Sequence, residues 1–592
     1  MLDPRIYRTG FIAVALAAIV FAFSLHDQRG PLGSPLATDA YNGTNAFATM
    51  QSLAGPNGYA QRRPGSTGDN ALADEVYSRL SAIQGLGVSR RLWTGRTADG
   101  TRTLETVTAV RPGLSTGSIV IVAHRDSLSS PSVADLSGTA TLLELARVLA
   151  GETTHRTIVL ESTSGSAGLA GATQLARSLG GPVDAVIALG NLAGTSVRGP
   201  VVVPWSNSQN VAPTMLRNTV GAALAAQANL KAGGTSFGGQ LAHLALPLTI
   251  SEQAPFGDLG VPAVLVSVSG EHAPAANEPV GSGARLIGMG QAVLQAVNAL
   301  DTGSNVPAPA PYLLLQGKVV PAWAVRLLVL ALILPVLMAT IDGVARARRR
   351  GHSIIRWMVW VLASAAPFVL ALLVVLGFSV AGLIANAPPG PVAADVVTPH
   401  GAGIAVLLLC GLAIVLGFAL LRPLIVSAAG APRGLAGTAP EGASVALLLV
   451  MCIAALVVWR ANPFAAALLV PALHLWMWVV DPEVRMRPVV SGVLIAIGLA
   501  PPLLVVLYYA HSLGLGPIGV LWSGVLLLIG GQFTVLSAVL WSVLLGCVAS
   551  VILLMLRALR DPAPGQMPIT VRGPIGYAGP GSLGGTESAI RR

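Results

Sequence analysis

Hydrophobic and polar positions are arranged differently in separate parts of the chain. Residues 27–318 mix the two kinds, as a domain that folds in water does, whereas residues 321–557 are nearly continuous apolar sequence broken by short loops. A separate apolar run covers Thr9–Leu25. The pattern predicts an N-terminal anchor helix in residues 1–26, a water-soluble domain in 27–318, a polytopic helix domain in 319–557 and a disordered tail in 558–592.

The apolar runs of the C-terminal part are long enough to cross a membrane, which takes about 20 residues per helix. Pro517–Gly531 is too short for an assured span, so we expect it to be re-entrant or interfacial. With the anchor helix this gives eight spans, and a ninth would place the tail outside. A cleaved signal peptide is the alternative for the first run, but no clear cleavage motif follows Leu25. The predicted C-terminal spans are Pro321–Ile341, Trp357–Ile384, Ala402–Leu421, Ala443–Val458, Pro463–Val480, Val489–Ala510 and Phe533–Leu556.

Composition and charge agree with a multi-pass membrane protein. The chain is 53% hydrophobic and 10% charged, with a mean hydropathy of +0.69, whereas soluble proteins carry roughly 25% charged residues. The net charge of +10 comes from arginines clustered beside apolar segments, as at 346–350. By the positive-inside rule these loops are cytoplasmic, so residues 27–318 are predicted to be extracytoplasmic. No basic stripe interleaved with aromatics is present, which argues against a nucleic-acid partner.

The predicted outer domain alternates strands and helices. Buried-strand runs occur at Ser118–Ala123, Thr157–Leu160, Ala185–Leu189 and Ala263–Val268, with helical spacing between them. This predicts an α/β domain with a mostly parallel central sheet. Functional residues are expected directly after the strands, because ligands of such sheets bind at the carboxyl ends.

Several motifs in this domain resemble one known family in the same order. Arg63-Pro-Gly-Ser66, Ile119-Val-Ile-Val-Ala-His124-Arg-Asp126, Ala134-Asp-Leu-Ser-Gly138, Gly168-Leu-Ala-Gly171 and Ser251-Glu-Gln-Ala-Pro-Phe256 are similar to motifs of the two-zinc exopeptidases of clan MH, metallopeptidase family twenty-eight. The resemblance implies a zinc-aminopeptidase-like three-layer fold. It also implies metal-assisted hydrolysis, in which a Glu removes a proton from a metal-bound water.

Carried over residue by residue, the resemblance leaves an incomplete zinc site. His124 matches the first His ligand, Asp126 the Asp that orients it, and Asp135 the carboxylate that bridges two zinc ions. The paired glutamates, one of them the general base, fall on Gly165-Ser166 or Ser166-Ala167, depending on the placement of a gap. A further Asp ligand falls on Asn191 and the last His on Gln253. Amides and hydroxyls are poor substitutes for these donors, so a degenerate site without zinc is predicted.

Other residues offer alternatives to this interpretation. The acids and histidines that remain near the motifs could rebuild a metal site: Glu161, Glu252, Asp258, His243 and His272. Gly234-Thr-Ser-Phe-Gly238 has the GxSxG pattern of serine hydrolases, but a strand must precede that motif and the sequence upstream is helix-like. His474 lies alone inside an apolar span, and we expect it to be structural.

The sequence therefore favours a membrane-anchored, metallopeptidase-like protein that has lost zinc catalysis. Its outer domain is expected to act as a binding or assembly module in the cell envelope. The expected partners are the bilayer and a peptide or an envelope protein, and no cofactor is expected unless the domain is active with zinc. The alternatives are an active zinc-dependent aminopeptidase with unusual ligands and a transport-associated membrane protein.

Overall fold

The computed structural model of the chain describes residues 4–55, 62–128, 132–274, 278–280, 283–384, 387–392, 396–430, 440–481, 484 and 486–560. The predicted tail falls largely outside these residues. The first helix and the elements of the α/β domain are, in chain order, α1 (Pro4–Phe23), β1 (His26–Asp27), α2 (Gly43–Ala54), α3 (Thr67–Ser81), β2 (Gly87–Thr97), β3 (Gly100–Arg111), β4 (Ser118–His124), α4 (Ser137–Ala150), β5 (Thr157–Thr163), α5 (Ala170–Ser178), β6 (Val183–Leu189), β7 (Val202–Val203), α6 (Thr214–Gln227), α7 (Phe237–Ala245), α8 (Ala254–Asp258), β8 (Ala263–Val266), α9 (Ala284–Thr302), β9 (Tyr312–Leu315) and β10 (Lys318–Pro321).

The central sheet of the α/β domain is mixed. Its seven strands lie in the order β2-β3-β5-β4-β6-β8-β7. Three neighbouring pairs are parallel and three are antiparallel. The prediction of a mostly parallel sheet was therefore wrong. The parallel centre was recognised from its apolar runs, but the long hairpin of β2 and β3 was missed because most of β2 and half of β3 are half-exposed or exposed and read as polar sequence.

The sheet separates two layers of helices. Along β4, Ile119 and Ile121 join the larger core with α2, α4 and α9, whereas Val120 and Val122 face a smaller core with α5 and α8. Successive side chains of a strand point to opposite faces. Because both faces are covered, the central strands are apolar throughout, which is why they read as continuous hydrophobic runs.

The remaining helices form a separate block. These helices and α1 together are called the helix block. The remaining helices are α10 (Ala322–Arg349), α11 (Ile354–Ala363), α12 (Ala366–Val380), α13 (Gly401–Leu416), α14 (Arg422–Ala428), α15 (Pro440–Ala461), α16 (Pro463–Ala467), α17 (Val470–Val480), α18 (Pro488–Ser512), α19 (Pro517–Ile529) and α20 (Val535–Arg560). A π-helical turn at Gly417–Leu421 joins α13 to α14.

Among the described residues, seven helical segments are long and apolar enough to cross a membrane, and the bent pair α11–α12 would add an eighth. Each predicted span coincides with one of these segments. Helix α19 has 13 residues, so it is about 20 Å long against the roughly 30 Å of a bilayer core. This agrees with the prediction that Pro517–Gly531 does not span.

A small antiparallel sheet joins the α/β domain to the helix block. Strand β1 directly follows α1, and β10 directly precedes α10. His26 pairs with Val319, and Asp27 pairs with Lys318. The predicted domain boundaries at 26/27 and 318/319 therefore fall inside paired strands. The pairing also brings α1 and α10 side by side.

Helix α1 packs closely on α10 and α17. A side chain added at Gly10 would lie 2.6 Å from Cα of Pro335, so only glycine allows this approach. His474 Nε2 lies 2.8 Å from the carbonyl oxygen of Leu332, and its Nδ1 lies 2.8 Å from the hydroxyl of Tyr7. Because a carbonyl only accepts, Nε2 carries the proton and Nδ1 accepts from Tyr7. His474 thus joins three helices, which fits a structural role.

The α/β domain also docks on α18. The ring of His243 stacks on Trp205 at 4.6 Å and lies between Tyr508 and Tyr509. The hydroxyl of Tyr509 donates to the carbonyl of Leu246 at 2.6 Å and lies 3.3 Å from His243 Nδ1. These contacts make an aromatic junction between α7 and the end of α18.

We expect Gly10→Leu to lower the stability of the whole chain by ~1–3 kcal/mol, because the new side chain overpacks the contact with Pro335. Thermal unfolding of the full-length protein in detergent would measure this. Gly411→Leu is the matched control, since a side chain there meets nothing within 4 Å. Equal unfolding temperatures for the two variants would contradict the close packing of α1 on α10.

Tyr509→Phe is expected to cost ~1–2 kcal/mol, because the Leu246 carbonyl loses its donor at the junction. Tyr508→Phe should cost less, since the Tyr508 hydroxyl makes only a 3.3 Å contact with His243 Nε2. Unfolding temperatures of the two full-length variants give the comparison, and the reverse order would contradict this arrangement.

Candidate functional site

A polar cleft lies at the carboxyl ends of the parallel strands, where sites of such sheets are expected. It has an open volume of about 490 Å³. Its floor is formed by residues that follow β4, β5, β6 and β8. The lining residues from the α/β domain include His124, Asp126, Asp135, Ser166, Ala167, Asn191, Arg198, Glu252, Glu271 and His272.

His124, the last residue of β4, is held between two carboxylates. Its Nδ1 lies 2.9 Å from Glu252 Oε2, and its Nε2 lies 3.2 Å from Asp135 Oδ1. An ionised carboxylate only accepts hydrogen bonds, so both ring nitrogens carry protons and the ring is positively charged. Burial acts to lower the pKa of His124, but the charge of Glu252 and the hydrogen bond to Asp135 hold this pKa well above its ordinary value.

Asp135 is shared with a second cation. It lies in a short turn before α4, and its Oδ2 is 3.4 Å from Nη2 of Arg62. The same nitrogen of Arg62 donates to the carbonyl of Ser132 at 3.2 Å. Burial acts to raise the pKa of Asp135, but His124 and Arg62 together hold it below its ordinary value. Two cations and two carboxylates therefore form one connected ion network.

Asp126 faces the turn after β5. Its carboxylate accepts from the backbone N–H of Ser166 at 3.1 Å and from the Ser166 hydroxyl at 3.1 Å. Burial, together with the negative charge of Asp69, raises the pKa of Asp126 to about 7. The family resemblance predicted that Asp126 orients His124. In the structure Glu252 makes the hydrogen bond to His124 Nδ1 instead.

The roof of the cleft comes from the helix block, which sequence reasoning missed. Pro391 and Val392, between α12 and α13, and Leu513, between α18 and α19, line it. The backbone N–H of Gly390 donates to the carbonyl of Gly168 at 2.8 Å. Nothing in the local sequence of a loop between helices shows which surface it will cover, so no signal was available for this contact.

Residues 106–278 match Peptidase family M28. The match confirms the resemblance drawn from the motifs, and it covers the centre of the α/β domain. No curated protein matches this chain.

Solved structures similar to the chain include a glutaminyl cyclase from Porphyromonas gingivalis, at 18% identity, covering 44% of this chain and 99% of that one with a TM-score of 0.34. A leucine aminopeptidase precursor from Bacteroides thetaiotaomicron is 14% identical, with coverages of 45% and 99% and a TM-score of 0.35. A Zn-dependent exopeptidase from Parabacteroides distasonis is 16% identical, with coverages of 44% and 99% and a TM-score of 0.34.

The positions assigned to the paired glutamates form a turn in this M28-like domain. Gly165 has a φ of 85°, a conformation that favours glycine. Ser166 and Ala167 line the cleft but bring no carboxylate to it. Ser166 instead anchors the turn to Asp126, so the segment has a structural use of its own.

The two amide positions are also occupied by structural hydrogen bonds. Asn191 donates from Nδ2 to the Ser269 hydroxyl at 2.7 Å and accepts at Oδ1 from the backbone of Gly194 at 2.8 Å. Gln253 is buried and donates to the carbonyl of Trp205 at 2.8 Å, and it is not among the residues that line the cleft.

The residues present do not fit a pair of zinc ions. Within the described part of the chain, no group of three or more His, Cys, Asp or Glu is arranged to hold a metal ion. The carboxylate that would bridge two cations already contacts Arg62 and His124. A guanidinium beside it opposes further positive charge, and His124 would have to lose a proton first.

The other candidate residues lie in separate places. Glu161 accepts from Thr108 on the hairpin at 2.7 Å, and His243 belongs to the junction with α18. Asp258 is surrounded by the Ser206–Ser208 turn, and burial raises its pKa to about 6. Ser236 caps α7 by accepting from the backbone of Gly239 at 3.2 Å, so the GxSxG segment is a helix start. Only Glu252 and His272 of this group line the cleft.

Burial raises the pKa of Glu161 to about 7 from 4.5. Below pH 4.5 the Glu161 carboxyl is protonated in both the folded and the unfolded protein. As the pH rises toward 7, the Glu161 carboxyl ionises in the unfolded protein before it does so in the folded protein. Glu161 therefore lowers the free energy of unfolding in this range. We therefore expect the stability of Glu161→Gln relative to the wild type to rise by roughly 2–3 kcal/mol between pH 4.5 and 7. Unfolding of the full-length proteins across this range tests it, with Asp39→Asn, at an exposed carboxyl, as control. A difference that is independent of pH would contradict the burial of Glu161.

Proposed function

We propose that the M28-like domain is an extracytoplasmic binding or assembly module of the cell envelope that works without zinc catalysis. The observation that carries this proposal is the ion network of Arg62, His124, Asp135 and Glu252. Its two cations and two carboxylates satisfy each other, so the site needs no metal ion to balance its charge.

The surroundings of the network support the same proposal. The turn at 165–167 contributes no carboxylate that could serve as general base, and such a base is worth about 10²–10⁴-fold in rate. The cleft, however, is retained at about 490 Å³. An open polar cleft without a hydrolytic set of residues favours binding over turnover.

The contacts between the two parts of the chain support an outer position for the domain. The end of α1, the start of α10 and the end of α18 all lie at the side of the helix block that contacts the α/β domain. Asn462, between α15 and α16, donates to the carbonyl of Leu244 at 2.8 Å on that same side. Arginines 346–350 end α10, one helix length away, so the positive-inside rule favours a cytoplasmic position for them.

One observation favours a second candidate, a zinc aminopeptidase with unusual ligands. His124 Nε2 and Asp135 Oδ1 are 3.2 Å apart, close to the ~3.3 Å between two ligands of one tetrahedral zinc ion. This candidate requires a single ion that displaces the proton on Nε2.

Metal content separates the two candidates. We expect the full-length protein, purified in detergent after exposure to zinc and dialysis, to hold far less than one zinc per chain by elemental analysis. We also expect His124→Ala to destabilise the chelator-treated protein by ~3–5 kcal/mol, because Asp135 and Glu252 lose their partner. His26→Ala is the control, since that ring is exposed. One or two zinc ions per chain, lost in His124→Ala, would overturn the proposal.

A further inference from the structure

The cleft of the M28-like domain continues into an apolar seam against the helix block. Leu248 and Ile250, which precede Ser251, form one wall, and Leu526 and Leu527 of α19 form the other. Ile250, Pro391, Val392 and Leu513 line both the cleft and the seam. The polar cleft and the apolar seam therefore adjoin along these shared residues, and together they make one candidate site with two chemically different ends.

The seam lies at the surface level of the helix block. Helix α19 begins at Pro517, a few residues after Leu513 in the cleft roof. It ends at Ile529, and a side chain added at the next residue, Gly530, would lie 3.0 Å from the carbonyl oxygen of Pro388, which lines the seam. Gln532, just beyond α19, donates to the carbonyl of Pro389. Both ends of α19 thus lie on the side of the α/β domain, which agrees with a helix too short to span.

The polar end of this space has an unmet acceptor. Glu271 lines the cleft, and its Oε1 is buried without a hydrogen-bond partner among the described residues. The other acids of the cleft are satisfied, since Asp135 and Glu252 contact His124 and Asp126 accepts from Ser166. A buried carboxyl oxygen without a partner is costly. Burial raises the pKa of the Glu271 carboxyl to about 7, so an ammonium group that reaches this side chain would stabilise its ionised form and supply the missing donor.

The apolar seam is narrow, and it too contains a buried polar atom without a hydrogen-bond partner among the described residues. The seam encloses about 30 Å³, close to the volume of one methylene group, so an alkyl chain enters only if α19 and the Ile250 wall move apart. The hydroxyl of Ser523, which lines the seam, is buried and has no partner in the described part of the chain. A wall with an unpaired hydroxyl separates at a lower cost than a fully bonded one.

We propose that the cleft binds an amine-bearing glycerophospholipid, with its ammonium on Glu271 and an acyl chain entering the seam between Ile250 and Leu527. This inference rests on the proposed binding function and names its ligand class. A lipid is favoured over a peptide because the apolar end opens toward a helix at the level of the membrane surface, from which a lipid chain reaches it without crossing water.

Native mass spectrometry of the full-length protein tests the proposal. The probes are phosphatidylethanolamine and phosphatidylglycerol, added separately at equal concentration to delipidated protein in detergent. We expect the wild type to bind one phosphatidylethanolamine about tenfold more tightly than phosphatidylglycerol. Glu271→Gln should remove this preference, and Ile250→Trp, which fills the seam, should weaken binding of both lipids about tenfold.

Leu412→Trp is the matched control, because Leu412 lines an apolar groove between α12 and α13 away from the cleft. It should bind both lipids as the wild type does. All variants are compared below the unfolding temperature of the least stable one, because Ile250→Trp overpacks its site and Glu271→Gln removes a buried carboxyl. Equal binding of the two lipids by the wild type, an unchanged Ile250→Trp variant, or a peptide retained in place of lipid would each overturn the inference. Zinc analysis is independent of these readouts, so a zinc-free protein that binds no lipid contradicts this inference alone.

Discussion

The ion pair of Arg125 with Asp69 fixes the part of the molecule on which the site depends. The two side chains are 2.9 Å apart, and both are fully buried. Arg125 stands between His124 and Asp126, and it also donates to the carbonyls of Ser162 and Glu105. One side chain thus ties the end of β4 to α3, β3 and β5. Removing either partner would leave a buried charge unpaired, which is among the largest penalties that a fold can meet.

This constraint holds the end of β4 in place through side chains alone. The loop after β4 is positioned by Arg125 and Asp69, so the geometry of His124 does not need a metal ion to hold it. Glu252 and Arg62 then supply the charges that orient His124 and Asp135. In a two-zinc site the zinc ions carry the positive charge, whereas here the side chains of Arg62 and His124 carry it. The fold supports both arrangements, and fold alone does not decide between them.

The sequence predicted what depends on local patterns. The parallel strands, the helices between them and the apolar helices long enough to cross a membrane were all visible as runs and periodicities, and the family motifs located His124 and Asp135. The hairpin of β2 and β3 was missed because its half-exposed strands lack a clear apolar alternation. The partners Arg62 and Glu271, and the roof at Pro391 and Leu513, were missed because they depend on long-range contacts. Glu252 was among the candidates, since a carboxylate is retained next to Gln253.

The pairing of β1 with β10 has a consequence for the order of biosynthesis. Asp27 and Lys318 are 291 residues apart in the chain, yet their side chains form an ion pair. While the ribosome makes those residues, α1 is already available and the α/β domain is held at one end only. The strand that closes the small sheet emerges immediately before α10. The small sheet can therefore close, and α10 can pack against α1, only after the whole α/β domain has been synthesised.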